Sequence, residues 1–476
     1  MNRDKGKGRR AVLVILLAAA AVAALPAAAR ADEITLEEAV NGALARNHAL
    51  AAKGYAHRAA VWAHRQAKAQ LLPSLSVRSS YTRLDDETVR RANAIGREIT
   101  MFFPDSTGQL QPFTIEIPQT VFRHGYESSV DGQLLLFQPA VWNGVSLAGA
   151  SKDAAYWDRE AARLETVHAT VTAYLDLLRT DALLDLRERN LLQARENLAL
   201  AERLFRVGRY AEADVLRWRV EEARQSGLLA EQRSGRRVAA LALEVRLGAD
   251  PMGAVDPDTT LPALLAERIG SFRGMTTEEW ERFLSRPLAE VIAGDPRLRM
   301  LEQSRRLADI RHRQSVTNFL PSVTVSGSYG WQNNESPELD GEKAWYATAA
   351  LNLPIFTGFS NLSEHRMTRA QARQAREETE ESKRALLLSA ETARTSIRSA
   401  AERLRAAEAA LASARRNREI QRNSFALGRL TNLEWIDANL ALQEAEGSYT
   451  TAYYDLVSAV ADYHHAAGDL LGLLNS

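Results

Sequence analysis

The residues best able to do chemistry are the histidines, because the chain holds nine of them and no cysteine. His464 and His465 form the one adjacent pair, but neighbours on a helix point about 100° apart and chelate poorly. His57 and His64 lie two helical turns apart, too far to share an ion. Both pairs read as surface or packing histidines. Lack of cysteine excludes disulfides, thiolate metal sites, cysteine nucleophiles and an N-terminal lipid-modified cysteine. No phosphate-binding loop, zinc-protease helix or calcium-loop pattern occurs, and no serine, histidine and acid stand out by spacing. The expectation is no enzyme, no bound metal and no cofactor. Among the carboxylates, Thr431-Asn432-Leu433-Glu434 fits a capping box, and acids in a first helical turn are favoured by the macrodipole. Asp437 lies one turn further along, where that effect fades.

These carboxylates follow one of two related turns, Phe205-Arg206-Val207-Gly208-Arg209 and Phe425-Ala426-Leu427-Gly428-Arg429. Each closes a long run free of Gly and Pro: Ser151 to Val207, roughly 57 residues or ~85 Å if helical, and Phe359 to Leu427, roughly 69 residues or ~100 Å. A glycine between two such runs reads as a helix stop, since it takes the left-handed conformation at little cost. In the second run Ala390, Ala393, Ile397, Ala400, Leu404, Ala407, Leu411 and Ala414 trace a heptad seam of small residues. The residues between them are mostly Arg, Glu and Ser, which suits a helical wall with water on both sides.

Arg3, Lys5, Lys7, Arg9 and Arg10 precede an apolar run from Ala11 to Leu25, followed by Ala29-Arg30-Ala31. That is the pattern of a secretory signal peptide, placing residues 1–31 in a cleaved leader. The apolar run falls short of the ~20 residues a membrane helix needs, and nothing later is longer. Any membrane segment must therefore be β. With 60 basic and 60 acidic residues among 476, the balance argues against a nucleic-acid partner.

In chain order, Thr35 to Gln70 reads as one helix ended at Leu72-Pro73, and a strand begins at Ser74. Leu75, Val77 and Tyr81 alternate with serines, giving a strand of about 74–83. Residues from Thr82 to about Gly125, with Pro104, Pro112 and Pro118, read as a long exposed loop with some structure of its own. A second strand spans about 127–139, followed by the first long helix, the turn and a return helix to about Leu247. Residues 251–286 read as a linker with one short helix near Thr276 to Leu284. Then the order restarts: a helix from Leu288 to Asn318, strands at about 322–332 and 345–354, the long helix and its return. Leu72-Pro73-Ser74 maps onto Leu320-Pro321-Ser322 at an offset of 248, while 208, 227 and 248 map onto glycines 428, 447 and 468 at 220. The chain is thus a duplication, with repeats over 32–250 and 287–476.

All four strands have an apolar face and a small-polar face, with Tyr81, Tyr126, Trp331 and Trp345 towards the loop end. Membrane barrel strands alternate in this way under an aromatic girdle. A half-buried soluble sheet also alternates so. Four strands cannot close a barrel, and open edges are not tolerated in hydrocarbon, so a membrane reading requires oligomerisation. Eight strands leave an interior filled by side chains, which favours three chains over two for a conducting lumen. The competing reading is a periplasmic structural or adaptor-like protein, with simple coiled-coil hairpins and a soluble β section.

Taken together, the leader, the duplicated Leu-Pro-Ser strand starts, the strand exits at Leu136 to Gly144 and Leu351 to Gly358, and the stretches Val207-Gly208 through Asp214 and Leu427-Gly428 through Asp437 resemble the TolC-type outer-membrane efflux and secretion channels. The resemblance covers essentially the whole mature chain. It implies a mainly α fold with a membrane β-barrel section: a homotrimer sharing a twelve-stranded barrel in outer-membrane lipid, continued by a long α-helical tunnel across the periplasm of a Gram-negative-type bacterium. It also implies a passive export duct, joined by a periplasmic adaptor protein to an inner-membrane transporter. Gly208, Arg209, Gly428 and Arg429 match the adaptor-facing tip turns, and Glu434, Asp437 and Asp214 match acidic positions that narrow the pore. Leu430 and Phe425 stand where the family can carry a basic residue and a tyrosine, so the inter-protomer latch built from those residues is not carried over as such, and Arg429 is the alternative basic residue for it.

Overall fold

The computed structural model describes residues 33–93, 98–104, 106–116, 121–252, 255–427, 431–470 and 472. The signal-peptide segment 1–31 and the turn residues Gly428 and Arg429 lie outside the described residues. Among the described residues no helix is long and apolar enough to cross a membrane. Contacts divide the chain into two compact units, each drawing on both sequence repeats.

One unit comprises Tyr55–Tyr156 and Met300–Glu381 and holds both sheets. Its main sheet contains β1 (Ser74–Arg83), β4 (His124–Phe137), β5 (Ser322–Asn333) and β6 (Glu342–Asn352), in the order β1-β4-β5-β6. All neighbours are antiparallel. Four strands are thus present in one sheet, the two repeats joined where β4 pairs with β5, and among the described residues β1 and β6 are its edges. A shift in pairing between Leu135 and Phe137 marks a bulge near the helical end of β4. Between β1 and β4, the expected loop holds a short helix, α3 (Asp86–Ala92), capped by Asp85, and a hairpin of β2 (Glu98–Pro104) and β3 (Leu110–Glu116).

The other unit comprises residues up to Gly54, Trp157–Arg299, and Ser382 onward, and it contains the main helical core. Thr35 caps α1 (Leu36–Arg46) by the expected box, its hydroxyl accepting from the Glu38 N–H at 3.2 Å. The helix expected to run on to Gln70 instead breaks at Asn47, whose extended backbone ends α1. The Asn47 side chain accepts from the Leu50 N–H at 3.0 Å, opening α2 (His48–Ala69). The second repeat does the same. The helix expected from Leu288 divides into α8 (Leu288–Val291) and α9 (Pro296–Thr317), with buried Asp295 accepting from the Arg297 N–H at 2.8 Å. Asn47 and Asp295 are related by the same offset of 248 as the Leu-Pro-Ser pair.

The long helices are α4 (Pro139–Arg206) and α10 (Ser360–Ala426), returning through α5 (Glu212–Leu247) and α11 (Asn432–Ala467). α4 starts earlier than its glycine-free stretch, because Pro suits a first helical position and Gly144 and Gly149 are carried inside. The seam expected on α10 is real: Ala390, Ile397, Ala400 and Leu404 are buried in the core with Leu164, Val171 and Leu456. Both return helices end on left-handed glycines. Gly248 has φ of 69° and Gly468 has φ of 78°, and a Cβ there would lie 2.9 Å from the Arg46 carbonyl oxygen or 2.7 Å from the Asp295 Cα. Each glycine therefore closes its return helix directly against the break in the first helix of its own repeat. The linker holds two helices rather than one, α6 (Ala263–Gly274) and α7 (Thr277–Leu284). Gly270 sits inside α6 with open space around it, so it weakens that helix without ending it. Buried Tyr174 of α4 ties the start of this segment down, its hydroxyl lying 2.9 Å from the Ile34 carbonyl and 2.7 Å from that of Asp258.

Candidate functional site

At the first turn, α4 ends in a Schellman motif: the Gly208 N–H donates to the Phe205 carbonyl at 2.9 Å and the Arg209 N–H to Leu204 at 2.8 Å. Gly208 has φ of 71° and no atom near its missing Cβ, so its role is conformational. Arg209 is exposed. Asp214 sits at the third position of α5 and accepts from the Ala211 N–H at 3.2 Å. Its second oxygen lies 3.8 Å from Arg217 and accepts from the Asn432 side chain at 3.2 Å.

At the second turn, Thr431 and Glu434 form the complete expected box. The Glu434 carboxylate accepts from the Thr431 N–H at 2.9 Å and from its hydroxyl at 2.6 Å, while the Glu434 N–H donates back at 3.3 Å. The bonds from Thr431 hold the Glu434 carboxyl below the usual carboxylate range. Asp437, one turn on, is exposed and has no hydrogen bond or ion pair among the described residues. Asp214, Glu434 and Asp437 all lie in the first two turns of their helices, but among the described residues only Asp214 has a hydrogen bond or ion pair to the other repeat.

That contact runs through residues not expected to matter. Trp218 of α5 donates from Nε1 to the Asn432 side-chain oxygen at 2.9 Å, and Asn432 reaches on to Asp214. Below it, Val215, Trp218, Trp435 and Ile436 form a small buried core with Ala201. Further along α11, Asn439 accepts from Gln193 and Arg418, both at 2.9 Å, and Gln443 accepts from Gln225 at 2.8 Å. Asn432, Asn439 and Gln443 follow spacings of seven and four, a polar stripe at helical period that could have been read from the sequence.

In the main sheet, register places Tyr81, Tyr126, Trp331 and Trp345 on one face. Tyr81 pairs with Tyr126, their rings 4.9 Å apart, Ser128 pairs with Trp331, and Tyr329 pairs with Trp345. Leu75, Val77, Val130, Leu134, Val325 and Leu351 share that face. The opposite face carries rows such as Ser74–Gln133–Ser326–Thr348 and Ser76–Asp131–Ser328–Tyr346. The four aromatic residues occupy three successive rows of the apolar face, stepping diagonally across the strands. On the edge strands Leu75 is 78% exposed and Leu351 70%. A soluble sheet buries its apolar face, whereas here both faces are open.

The histidine pairs are packing groups with particular partners. His464 lies 2.9 Å from Asp469. His465 instead stacks on His168, ring centroids 4.0 Å apart, with Glu165 at 3.2 Å from its Nε2. Burial, His168 and Arg297 push the His465 pKa down to about 4. His57 meets the edge of Tyr156, and His64 packs under Gly149, where a Cβ would lie 3.3 Å from its ring. No group of three or more His, Asp or Glu able to hold a metal occurs among the described residues.

Comparison with known proteins accounts for this arrangement. The outer membrane efflux protein family matches residues 39–249 and 288–469. Curated relatives include outer membrane protein TolC of Vibrio cholerae, 26% identical over 32% of this chain and 36% of TolC. Alkaline protease secretion protein AprF of Pseudomonas aeruginosa is 27% identical over 40% of this chain and 42% of AprF. The chain thus aligns with less than half of the length of each. Solved structures agree over more of it. The CmeC outer membrane channel of Campylobacter jejuni superposes with a TM-score of 0.74 at 16% identity, covering 91% of this chain and 85% of CmeC. VceC of Vibrio cholerae does so at 0.72 and 18%, covering 91% and 96%. With both repeats and most of the sequence matched, the chain belongs to the outer membrane efflux protein family.

Proposed function

We propose that this chain is the outer-membrane duct of an export system, either a tripartite efflux pump or a type I secretion apparatus. The observation that carries this reading is the two-faced sheet. One face is apolar and aromatic, the other is Ser-, Thr- and Gln-rich, and among the described residues the edges β1 and β6 have no partner strand. In hydrocarbon those edges must be paired, and pairing β6 of one copy with β1 of the next satisfies both. Three copies then contribute twelve strands, with the Ser/Thr/Gln face lining water and Tyr81, Tyr126, Trp331 and Trp345 forming the interfacial girdle. The long hairpins α4–α5 and α10–α11 continue as the periplasmic tunnel.

The duct is passive, so energy comes from an inner-membrane transporter coupled through a periplasmic adaptor at the two helix turns, Gly208-Arg209 and Gly428-Arg429. Asp437 and Glu434, with Asp214 behind them, ring the periplasmic mouth. Carboxylates converging on a narrow opening attract cations and repel anions. Fractionation and reconstitution test this reading. The protein sediments with outer membranes, needs detergent for release, runs as a trimer and conducts in planar bilayers. Release by osmotic shock as a soluble species contradicts it and favours a periplasmic coiled-coil protein.

A further inference from the structure

The hairpin β2–β3 has no counterpart in the second repeat, where the connection between β5 and β6 is the short loop between Asn333 and Glu342. Towards its tip it is apolar on both sides, while Thr100–Thr114 and Glu98–Glu116 make the base of one face polar. Register puts Met101, Phe103, Phe113 and Ile115 on one face, and Phe102, Pro104, Leu110 and Pro112 on the other. All are exposed, with Phe102 at 61% and Leu110 at 65%. From Thr100 to Ile115 the sequence contains a single charged residue, Asp105.

A protein partner docking on a ribbon covers one face and leaves the other in water. Strand addition by a second copy needs an open hydrogen-bonding edge, yet Pro112 sits in the middle of β3 and Pro104 ends β2, removing donors from both. An environment that surrounds the ribbon satisfies both apolar faces at once. In chain order the hairpin lies in the connection between β1 and β4, which leaves the sheet at the end that carries Tyr81 and Tyr126. A two-stranded ribbon still has unpaired edge groups, which keep it out of the hydrocarbon centre.

We propose that the β2–β3 hairpin lies in the headgroup–acyl boundary of the outer leaflet and anchors the channel to the lipid surface around it. This rests on the outer-membrane reading above. The native chain has no cysteine, so single spin labels can be placed without background. Phe102→Cys and Phe113→Cys label the two hairpin faces, and Leu351→Cys labels the apolar face of the main sheet. The full-length channel is reconstituted in phosphatidylethanolamine–phosphatidylglycerol vesicles, and relaxation by oxygen is compared with relaxation by a water-soluble nickel chelate. The expected result is oxygen-dominated relaxation at all three positions, shallower at 102 and 113 than at 351. Nickel-dominated relaxation at 102 and 113 with 351 in lipid overturns the anchor and leaves the outer-membrane reading intact. Spin–spin broadening at 102 or 113, showing hairpins packed on one another, overturns it as well. Nickel-dominated relaxation at 351 overturns the outer-membrane reading and the anchor with it.

Discussion

The first turns of α5 and α11 are related by an offset of 220, yet they handle charge in opposite ways. Asp214 corresponds to Glu434, and Arg217 to Asp437. In the first repeat the acid and base of this pair lie 3.8 Å apart and offset one another. In the second both positions are acidic; Glu434 is engaged by Thr431 and Asp437 is left to solvent. The core beneath is inverted too. Val215 corresponds to Trp435 and Trp218 to Ala438, so each hairpin supplies a tryptophan where the other is small. Two halves of one gene copy have become complementary in packing and unequal in charge. At the first turn the carboxylate has an ion-pair partner, and at the second Asp437 has none among the described residues.

The largest effect in breaking this complementarity comes from the tryptophans. Trp218→Ala should destabilise the protein by about 3–5 kcal/mol, since it removes a buried indole and leaves the Asn432 oxygen without its donor. Denaturant unfolding checks this, and the double variant with Asn432→Ala should cost less than the sum of the singles. Next come the closing glycines. Gly468→Ala should cost about 2 kcal/mol or more, because a left-handed φ and a contact with Asp295 act together. Gly208→Ala, with the same φ region but open space, should cost only about 1 kcal/mol. Smaller again are the caps. Thr431→Ala should lose about 1 kcal/mol, while Ala211→Thr, which gives α5 the hydroxyl it lacks, should gain up to about 1 kcal/mol.

A pH effect separates the far ends of the return helices. Glu244 of the first repeat accepts from the Met252 N–H at 2.6 Å, whereas the matching stretch of the second ends in His464 and His465. His465 is held neutral, its pKa lowered to about 4 from an ordinary 6.5. Between those values the unfolded chain binds the extra proton, so stability is present above about 6.5 and is lost as pH falls towards 4. Thermal melts from pH 7 to pH 4.5 should fall in the native protein, and less steeply in His465→Gln.

The duplicated order, the four strands, the α10 seam and both capping boxes were legible because each is a local or periodic signal. The break at Asn47 was not, because no Gly or Pro marks it inside an Ala-rich run, although its counterpart Asp295-Pro296 is marked. α6 was hidden by Gly270 and Gly274, and the β2–β3 hairpin by the prolines that blunt its edges. Trp218, Asn432 and Asp214 were not expected to meet because their contact joins positions 214 and 218 residues apart, which no local pattern reveals.

Single-channel recording tests the proposed charged mouth most directly, with Asp437→Arg set against Glu434→Gln in the reconstituted protein. Asp437→Arg gives the second turn the charge arrangement of the first, so it should abolish or reverse cation preference. Glu434→Gln, which loses a carboxylate already engaged in capping, should change it by less. Equal selectivity in both variants and the native channel would contradict the placement of the charged mouth at the second turn.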